Sequence, residues 1–223
     1  MALVLGVNSG FVTTAPTVDP SGGNTLVIDE GSLVSRDVPS QDCIVQEIGW
    51  WCNNATNNVS FKVGIYASDG SGGSAGTLLF SRGGNAKGNN AGWKIADGLN
   101  WMLKGNIPYW IALQLDDTTD SSTTTDEASS GGLGEDFLQG SQTNLNNPYG
   151  GGAIFDDDAM FSIYARISII AQAGTAGTRQ LNTNYPVTEG LTLGTTRLKK
   201  TNFVIRPEVS LLPDESIGLE TGG

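Results

Sequence analysis

Acidic side chains are the residues in this sequence best suited to hold a metal ion. Asp116, Asp117 and Asp120 fall in one polar stretch, and Asp156-Asp157-Asp158 form a second cluster. Carboxylate oxygens are hard ligands of the kind that Ca²⁺ takes, although neither cluster has the spacing of an EF-hand loop. Two interpretations stay open: a Ca²⁺ site, with Asp116, Asp117 and Asp120 as its candidate ligands, or solvated loops that keep the protein soluble.

Tryptophans are the second set of residues with a distinctive chemistry, and the chain has five of them. Trp50 and Trp51 are adjacent, so in a strand one ring faces the core and the other faces outward. Trp110 has the opposite parity to the apolar residues on either side of it. An outward-facing Trp51 or Trp110 could stack on a sugar ring, or it could pack under a neighbouring strand, arm or subunit.

Composition excludes much catalytic chemistry. The chain has no histidine, which removes Ser-His triads, histidine metal sites and the commonest general base. It has no CxxC pair, phosphate-binding glycine loop or nucleophile elbow. Any two of its 23 acidic residues could act as a glycosidase pair at the right spacing, but the sequence singles out no such pair. We therefore expect a protein that is not an enzyme, with no catalytic residues and no cofactor other than the Ca²⁺ candidate.

The two cysteines, Cys43 and Cys52, lie in one predicted strand. Their odd separation puts them on opposite faces of a regular strand, where they cannot easily form a disulfide. Two buried free thiols are the favoured interpretation, because free cysteine is a common core residue. A disulfide and a reactive thiol are the alternatives.

Alternating apolar residues predict the strands that position these side chains. Three strands are clear from this alternation. The inner face of the first carries Val59, Phe61, Val63 and Ile65, and that of the second carries Tyr109, Ile111, Leu113 and Leu115. The inner face of the third carries Phe161, Ile163, Ile167 and Ile169. Shorter strands are predicted at 25–28, 32–38, 43–52, 77–80, 93–95 and within 99–105. The polar stretch 116–136 is predicted to be an exposed loop. A second polar stretch, 140–152, is rich in asparagine and glycine. This pattern indicates antiparallel sheets with one covered face.

Two segments of this pattern resemble a known module. They read VGIYASDGSGGSAGTLLF at 63–80 and GWKIADGLNWMLKGNIPYWIALQ at 92–114. They are similar to a recurring jelly-roll module found in carbohydrate-binding β-sandwiches, phage virion proteins and bacterial surface proteins. The resemblance covers roughly residues 42–115. It implies an all-β, antiparallel jelly-roll β-sandwich, and it leaves adhesion, sugar binding and a purely structural role open.

The chain is predicted to have three parts: an extended N-terminal arm (1–24), the jelly-roll sandwich (25–170), and a linker with a β-rich C-terminal assembly tail (171–223). The tail has too few large apolar residues for a core of its own. Its alternating apolar pairs, Leu191 with Leu193 and Phe203 with Ile205, suit strand addition to another subunit. We therefore expect the tail, together with residues 1–24, to pack mainly against other chains.

The net charge and the lack of recognisable targeting signals limit the kinds of partner and location that we expect. The net charge of −11 disfavours nucleic acid, and no stretch approaches the roughly 20 apolar residues of a membrane span. No signal peptide is recognisable, so we expect a protein that is made in a host cytoplasm and not exported by the usual signal route. The resemblance to modules of phage virion proteins implies a location in a virion. The leading hypothesis is a structural protein of a bacteriophage-like virion, either a capsid decoration protein or a tail or fibre component. It would contact copies of itself and other virion proteins. The alternative is a carbohydrate-binding adhesin or receptor-binding module that recognises a cell-surface glycan.

Overall fold

The computed structural model describes the first 170 residues with gaps. The described ranges are 2–21, 24–28, 31–115, 123–129, 136–139, 142–150, 154–157 and 159–170. Contacts divide the chain into two units, residues 1–170 and residues 171–223. The whole of the second unit, with the predicted assembly residues Leu191, Leu193, Phe203 and Ile205, lies outside the described residues.

In the described part the chain forms fourteen strands and one short 3₁₀ turn, Ser71–Gly73. The strands are β1 (Gly10–Val12), β2 (Asn24–Val27), β3 (Ser32–Asp37), β4 (Cys43–Cys52), β5 (Ser60–Ala67), β6 (Leu78–Ala86), β7 (Gly92–Ala96), β8 (Trp101–Leu103), β9 (Tyr109–Leu115), β10 (Thr124–Ser129), β11 (Asp136–Gln139), β12 (Ile154–Asp157), β13 (Ala159–Phe161) and β14 (Ile163–Ile169). The prediction of an all-β fold is confirmed.

These strands form two large sheets and one small sheet. Sheet I has the order β1-β14-β4-β7, and β8 also pairs with β4. Sheet II has the order β12-β11-β3-β9-β5-β6, and sheet III has the order β13-β10-β2. Neighbouring strands are antiparallel except β1, which runs parallel to β14.

The core lies between the inner faces of sheets I and II. The predicted inner residues of β5 and β9, among them Phe61 and Ile111, form one buried cluster with residues of sheet I such as Trp50 and Ile163. The rings of Trp50 and Phe61 meet edge to face across the two sheets, with centroids 5.8 Å apart. Burying each such side chain stabilises the fold by about 1.5–3 kcal/mol.

A β-bulge in β4 makes the predicted facing of the two cysteines wrong. Glu47 pairs with Arg166 and Val45 pairs with Ile167, so Gln46 has no residue opposite it. The extra residue inverts the alternation, and both Cys43 and Cys52 face the core as fully buried free thiols. Burial raises the pKa of Cys43 to about 11, which makes it a poor nucleophile.

The strand predicted around residues 161–170 is two strands in different sheets. Phe161 ends β13 in sheet III, Ser162 forms a bend, and β14 then enters sheet I. Phe161, Ile163 and Ile167 lie in the core as expected. Ile169 does not, since it is 38% exposed at the end of β14.

The polar stretch 116–136 is not wholly an exposed loop. Thr124–Ser129 is β10, the central strand of sheet III, where it lies between β2 and β13. Thr125 and Asp126 are buried there. The Ser162 hydroxyl satisfies them, since it bonds the Thr125 hydroxyl at 2.9 Å and accepts the Asp126 N–H at 3.2 Å. The predicted loop therefore contributes a strand to the fold.

Part of the N-terminal arm belongs to its own sandwich. Strand β1 extends sheet I, and Phe11 enters the main core. Asp37, at the end of β3 in sheet II, accepts the Phe11 N–H at 2.6 Å and so ties the two sheets together. Gly10 is needed beside it, because its φ is +72° and a Cβ would lie 3.0 Å from the Asp37 carboxyl carbon. Residues 8–12 are buried in their own sandwich, whereas Thr13, Thr14 and residues 17–19 are exposed. The expectation that residues 1–24 pack mainly against other chains stays a prediction.

Candidate functional site

Most of the predicted metal ligands lie outside the described part of the chain. Asp116, Asp117, Asp120 and Asp158 lie outside the described residues, and Asp156 and Asp157 fall in β12. No group of three histidine, cysteine, aspartate or glutamate side chains among the described residues could hold a metal ion. The Ca²⁺ site stays a prediction.

Trp110 is no platform for a sugar, because its side chain is 0% exposed. It lies on the outer face of sheet II in a second apolar cluster that includes Tyr66 and Leu145. Its indole N–H lies 3.2 Å from both the Ser68 hydroxyl and the Gly73 carbonyl. The sequence parity was right, but neighbouring segments cover this face, which matches the alternative that Trp110 packs beneath another part of the chain.

Trp51 is the predicted aromatic that stays accessible. It lies half-buried on the outer face of sheet I, while Trp50 is fully buried beneath it. Trp93 on β7 is directly opposite, and the two rings meet edge to face with centroids 5.5 Å apart. The Trp93 ring also meets the Tyr164 ring at 5.1 Å, and its N–H donates to the Val18 carbonyl at 3.1 Å. Trp51 and Trp93 together form the aromatic pair of this face.

A polar network beside the aromatic pair depends on the bulge in β4. The bulge places Gln46 and Glu47 together next to Arg166 on β14. Arg166 donates to a Glu47 carboxylate oxygen at 2.8 Å and to the Gln46 side-chain oxygen, and the Tyr164 hydroxyl donates to Glu47 at 2.9 Å. The Arg166 side chain is 32% exposed, so part of this network meets solvent. Burial, together with the Glu47 charge, raises the pKa of Tyr164 and keeps it a neutral donor.

The network of Gln46, Glu47 and Arg166 was not predicted, although the sequence contains a signal for it. Gln46-Glu47 are two consecutive polar residues inside a strand that is otherwise strongly apolar. Such a pair breaks the period of two and is typical of a bulge, which re-aims side chains at a sheet surface. Bulges often lie next to binding sites, so this face of sheet I is one candidate functional surface.

Gly49 leaves room for the Tyr164 ring on the outer face of sheet I, and a substitution at Gly49 tests this packing. A Cβ at Gly49 would lie 2.6 Å from the Tyr164 hydroxyl oxygen and closer still to its ring. Gly49→Ala is expected to lower the free energy of unfolding by about 1–3 kcal/mol in a urea titration, because the ring must move. In a Tyr164→Ala background the same substitution should cost much less. An equal cost in both backgrounds would show that Tyr164 does not lie over Gly49.

The second candidate surface is an apolar groove at one end of the sandwich, with a volume of about 270 Å³. It lies between the N-terminal segment, the β3–β4 connection and the end of β14. Its apolar lining residues are Leu5, Phe11, Val38, Pro39, Ile167 and Ile169, and Thr13, Asp37 and Ser40 are its polar ones. Val38 is 47% exposed, and Ile169 is also exposed. The volume is just below that of typical small-molecule pockets, so the groove suits one or two side chains of a peptide better than a large ligand.

The groove lies beside an open strand edge. Strand β1 pairs only with residues 164–166 of β14, whereas β4 pairs along the whole of β14. Residues 167–169 thus have β4 on one side and, among the described residues, no strand on the other. An open edge next to an apolar groove can accept both the backbone and the side chains of an added strand.

The described part of the chain contains no helix long and apolar enough to cross a membrane. No protein-family model, curated protein or solved structure matches this chain.

Proposed function

We propose that this chain is a non-enzymatic structural protein of a bacteriophage-like virion, a capsid decoration protein or a tail or fibre component, that works through contacts between subunits. A jelly-roll arrangement of the sandwich is part of this proposal. The supporting observation is the apolar groove beside the open edge of β14. Natural proteins usually cover or interrupt such edges, because they invite pairing with other chains.

The distribution of charge along the chain supports the same proposal. Residues 171–223 carry five basic and five acidic side chains, so the whole net charge of −11 resides in residues 1–170. Mutual repulsion keeps such acidic units apart unless specific contacts hold them together. An extension with alternating apolar residues, such as Phe203 and Ile205, is suited to supply those contacts. Copies of the chain and other virion proteins are the proposed partners, and a virion is the proposed location.

Deletion of residues 178–223 tests the proposal directly. The shortened protein is expected to keep the folded sandwich but to be monomeric, because the segment that joins subunits is gone. Circular dichroism would check the fold, and light scattering after size exclusion would give the molecular mass. Leu79→Ser, a change of an exposed apolar residue on β6, is the control and should assemble as the unmodified chain does. Normal assembly of the shortened protein would contradict the proposal.

A second candidate function, binding of a cell-surface carbohydrate, is favoured by the aromatic pair on sheet I. A partly exposed indole can stack on the apolar face of a sugar ring, as aromatic rings do at binding surfaces. The Tyr164 ring touches Trp93, and its hydroxyl joins the pair to the network of Glu47, Gln46 and Arg166. Gln46 and Arg166 are partly exposed there and carry an acceptor and donors suited to sugar hydroxyl groups. We propose Trp51 as the stacking residue. Its aromatic partner in this site is Trp93, and the buried Trp110 has no part in it.

A glycan array tests this second candidate. Trp51→Ala is expected to abolish any glycan signal, whereas Leu79→Ala, which removes an apolar side chain from a different sheet, should leave it unchanged. A signal that survives Trp51→Ala and Trp93→Ala would place the sugar elsewhere. Absence of any signal from the unmodified chain would count against carbohydrate binding.

A further inference from the structure

We propose that the groove at the end of the sandwich holds residues 197–206 of a neighbouring copy, which add as a strand beside residues 167–169 of β14. This inference rests on the proposed assembly function and names the contact that would carry it. The surface is the groove bordered by Val38, Ile167 and Ile169. The occupant is a segment with the sequence RLKKTNFVIR.

The edge and the groove match an extended apolar segment. Residues 167–169 are paired with β4 on one side only, so their outward backbone groups can bond a further strand. Successive residues of an added strand point to opposite sides, which places Phe203 and Ile205 together on one face. A groove of about 270 Å³ lined by Leu5, Phe11 and Val38 suits side chains of that kind.

Charge selects this segment over the other alternating pair, Leu191 with Leu193. Residues 197–206 contain four basic side chains and no acidic one. The sandwich unit carries the whole net charge of −11, and Asp37 lines the groove itself. The stretch around Leu191 and Leu193 has one acidic neighbour, Glu189, and no basic residue before Arg197. Opposite charge around an apolar contact fixes orientation and favours encounter.

Chain length permits the contact between copies. The described residues end at Ile170, next to Ile169 of the groove, and the proposed segment begins at Arg197. The intervening 26 residues can extend to at most about 90 Å at about 3.4 Å per residue. That distance is enough to reach the same groove on an adjoining copy.

Cysteine cross-linking between two separate full-length variants tests both the surface and the occupant. Ser40→Cys places a thiol at the groove, and Thr201→Cys places one in the segment while keeping Phe203 and Ile205. One variant carries a purification tag, the two are co-expressed, and diamide oxidises the thiols to a disulfide. The native Cys43 and Cys52 are fully buried and do not compete. Ser81→Cys, on exposed β6, replaces Ser40→Cys in the control.

A docked segment holds its thiol at an effective concentration of about 1 mM, so at 10 µM protein the mixed disulfide should form about 100-fold faster than in the control. A rate no faster than the control would overturn the inference. A third variant carries both Ser40→Cys and Thr201→Cys in one chain. A disulfide within that chain, without a link between copies, would show that the segment returns to its own groove and would equally overturn the inference. If the chain still assembles in light scattering, only this contact fails. If it is monomeric, the proposed function fails as well.

Discussion

Phe61→Ala is expected to lower the free energy of unfolding by about 3–5 kcal/mol. The Phe61 ring is fully buried between sheets I and II and meets the Trp50 ring edge to face. Its removal leaves a cavity that rigid strands on both sides cannot close. Urea denaturation followed by tryptophan fluorescence measures the change.

Lys62→Ala is the matched control, because the next residue of β5 points to the opposite face. The Lys62 ammonium donates to the Thr143 carbonyl at 2.8 Å at an exposed position. Loss of that contact should change the free energy of unfolding by about 0.5 kcal/mol or less. A change under about 1 kcal/mol for Phe61→Ala would mean that the inner face of β5 is assigned incorrectly.

Ser162→Ala is expected to cost about 2–4 kcal/mol, an unusually large effect for the loss of one hydroxyl group. The Ser162 side chain is fully buried, and its oxygen serves both the Thr125 hydroxyl and the Asp126 N–H. Its removal leaves two polar groups buried without these partners. The same urea titration measures the cost.

Ser168→Ala, which removes a hydroxyl from a half-buried position of β14, should by comparison be nearly neutral. Thr125→Val in the Ser162→Ala background should recover part of the lost stability, since one orphaned hydroxyl is then gone. Equal stability of Ser162→Ala and Ser168→Ala would show that β10 contributes little, as expected of an exposed loop.

The inner faces of β5 and β9 could be predicted from the sequence because their apolar residues alternate with a period of two. The alternation at Phe61, Val63 and Ile65 and at Ile111 and Leu113 depends on the period of two alone, and the structure confirms it. The bounds of β4 were also predicted, since its apolar content is high throughout.

Strand β10 could not be predicted in this way. Its sequence, TTDEAS, has no apolar alternation, and it is held by hydrogen bonds to residues distant in sequence. Its partners Asn53 and Ser162 lie far along the chain on either side. Buried polar strands of this kind are stabilised by complementary donors and acceptors, which local periodicity does not record.

The candidate functional surfaces could be predicted from the sequence only in part. Parity predicted that Trp51 and Trp110 face outward, but the cover over Trp110 comes from segments such as that around Leu145. The aromatic pair required Trp93 to lie opposite Trp51, which depends on the register of β7. The groove joins Leu5, Val38 and Ile169, three residues that no sequence pattern connects.

The number of copies of this chain in purified particles tests the central claim most directly. Quantitative mass spectrometry of particles isolated from the cells that make the protein would give its ratio to the other particle proteins. We predict a fixed ratio that matches a symmetry of the particle and persists through repeated purification, because subunit contacts set the stoichiometry. A chain found only in the soluble fraction, or at a ratio that falls with each purification step, would contradict a structural role in a virion.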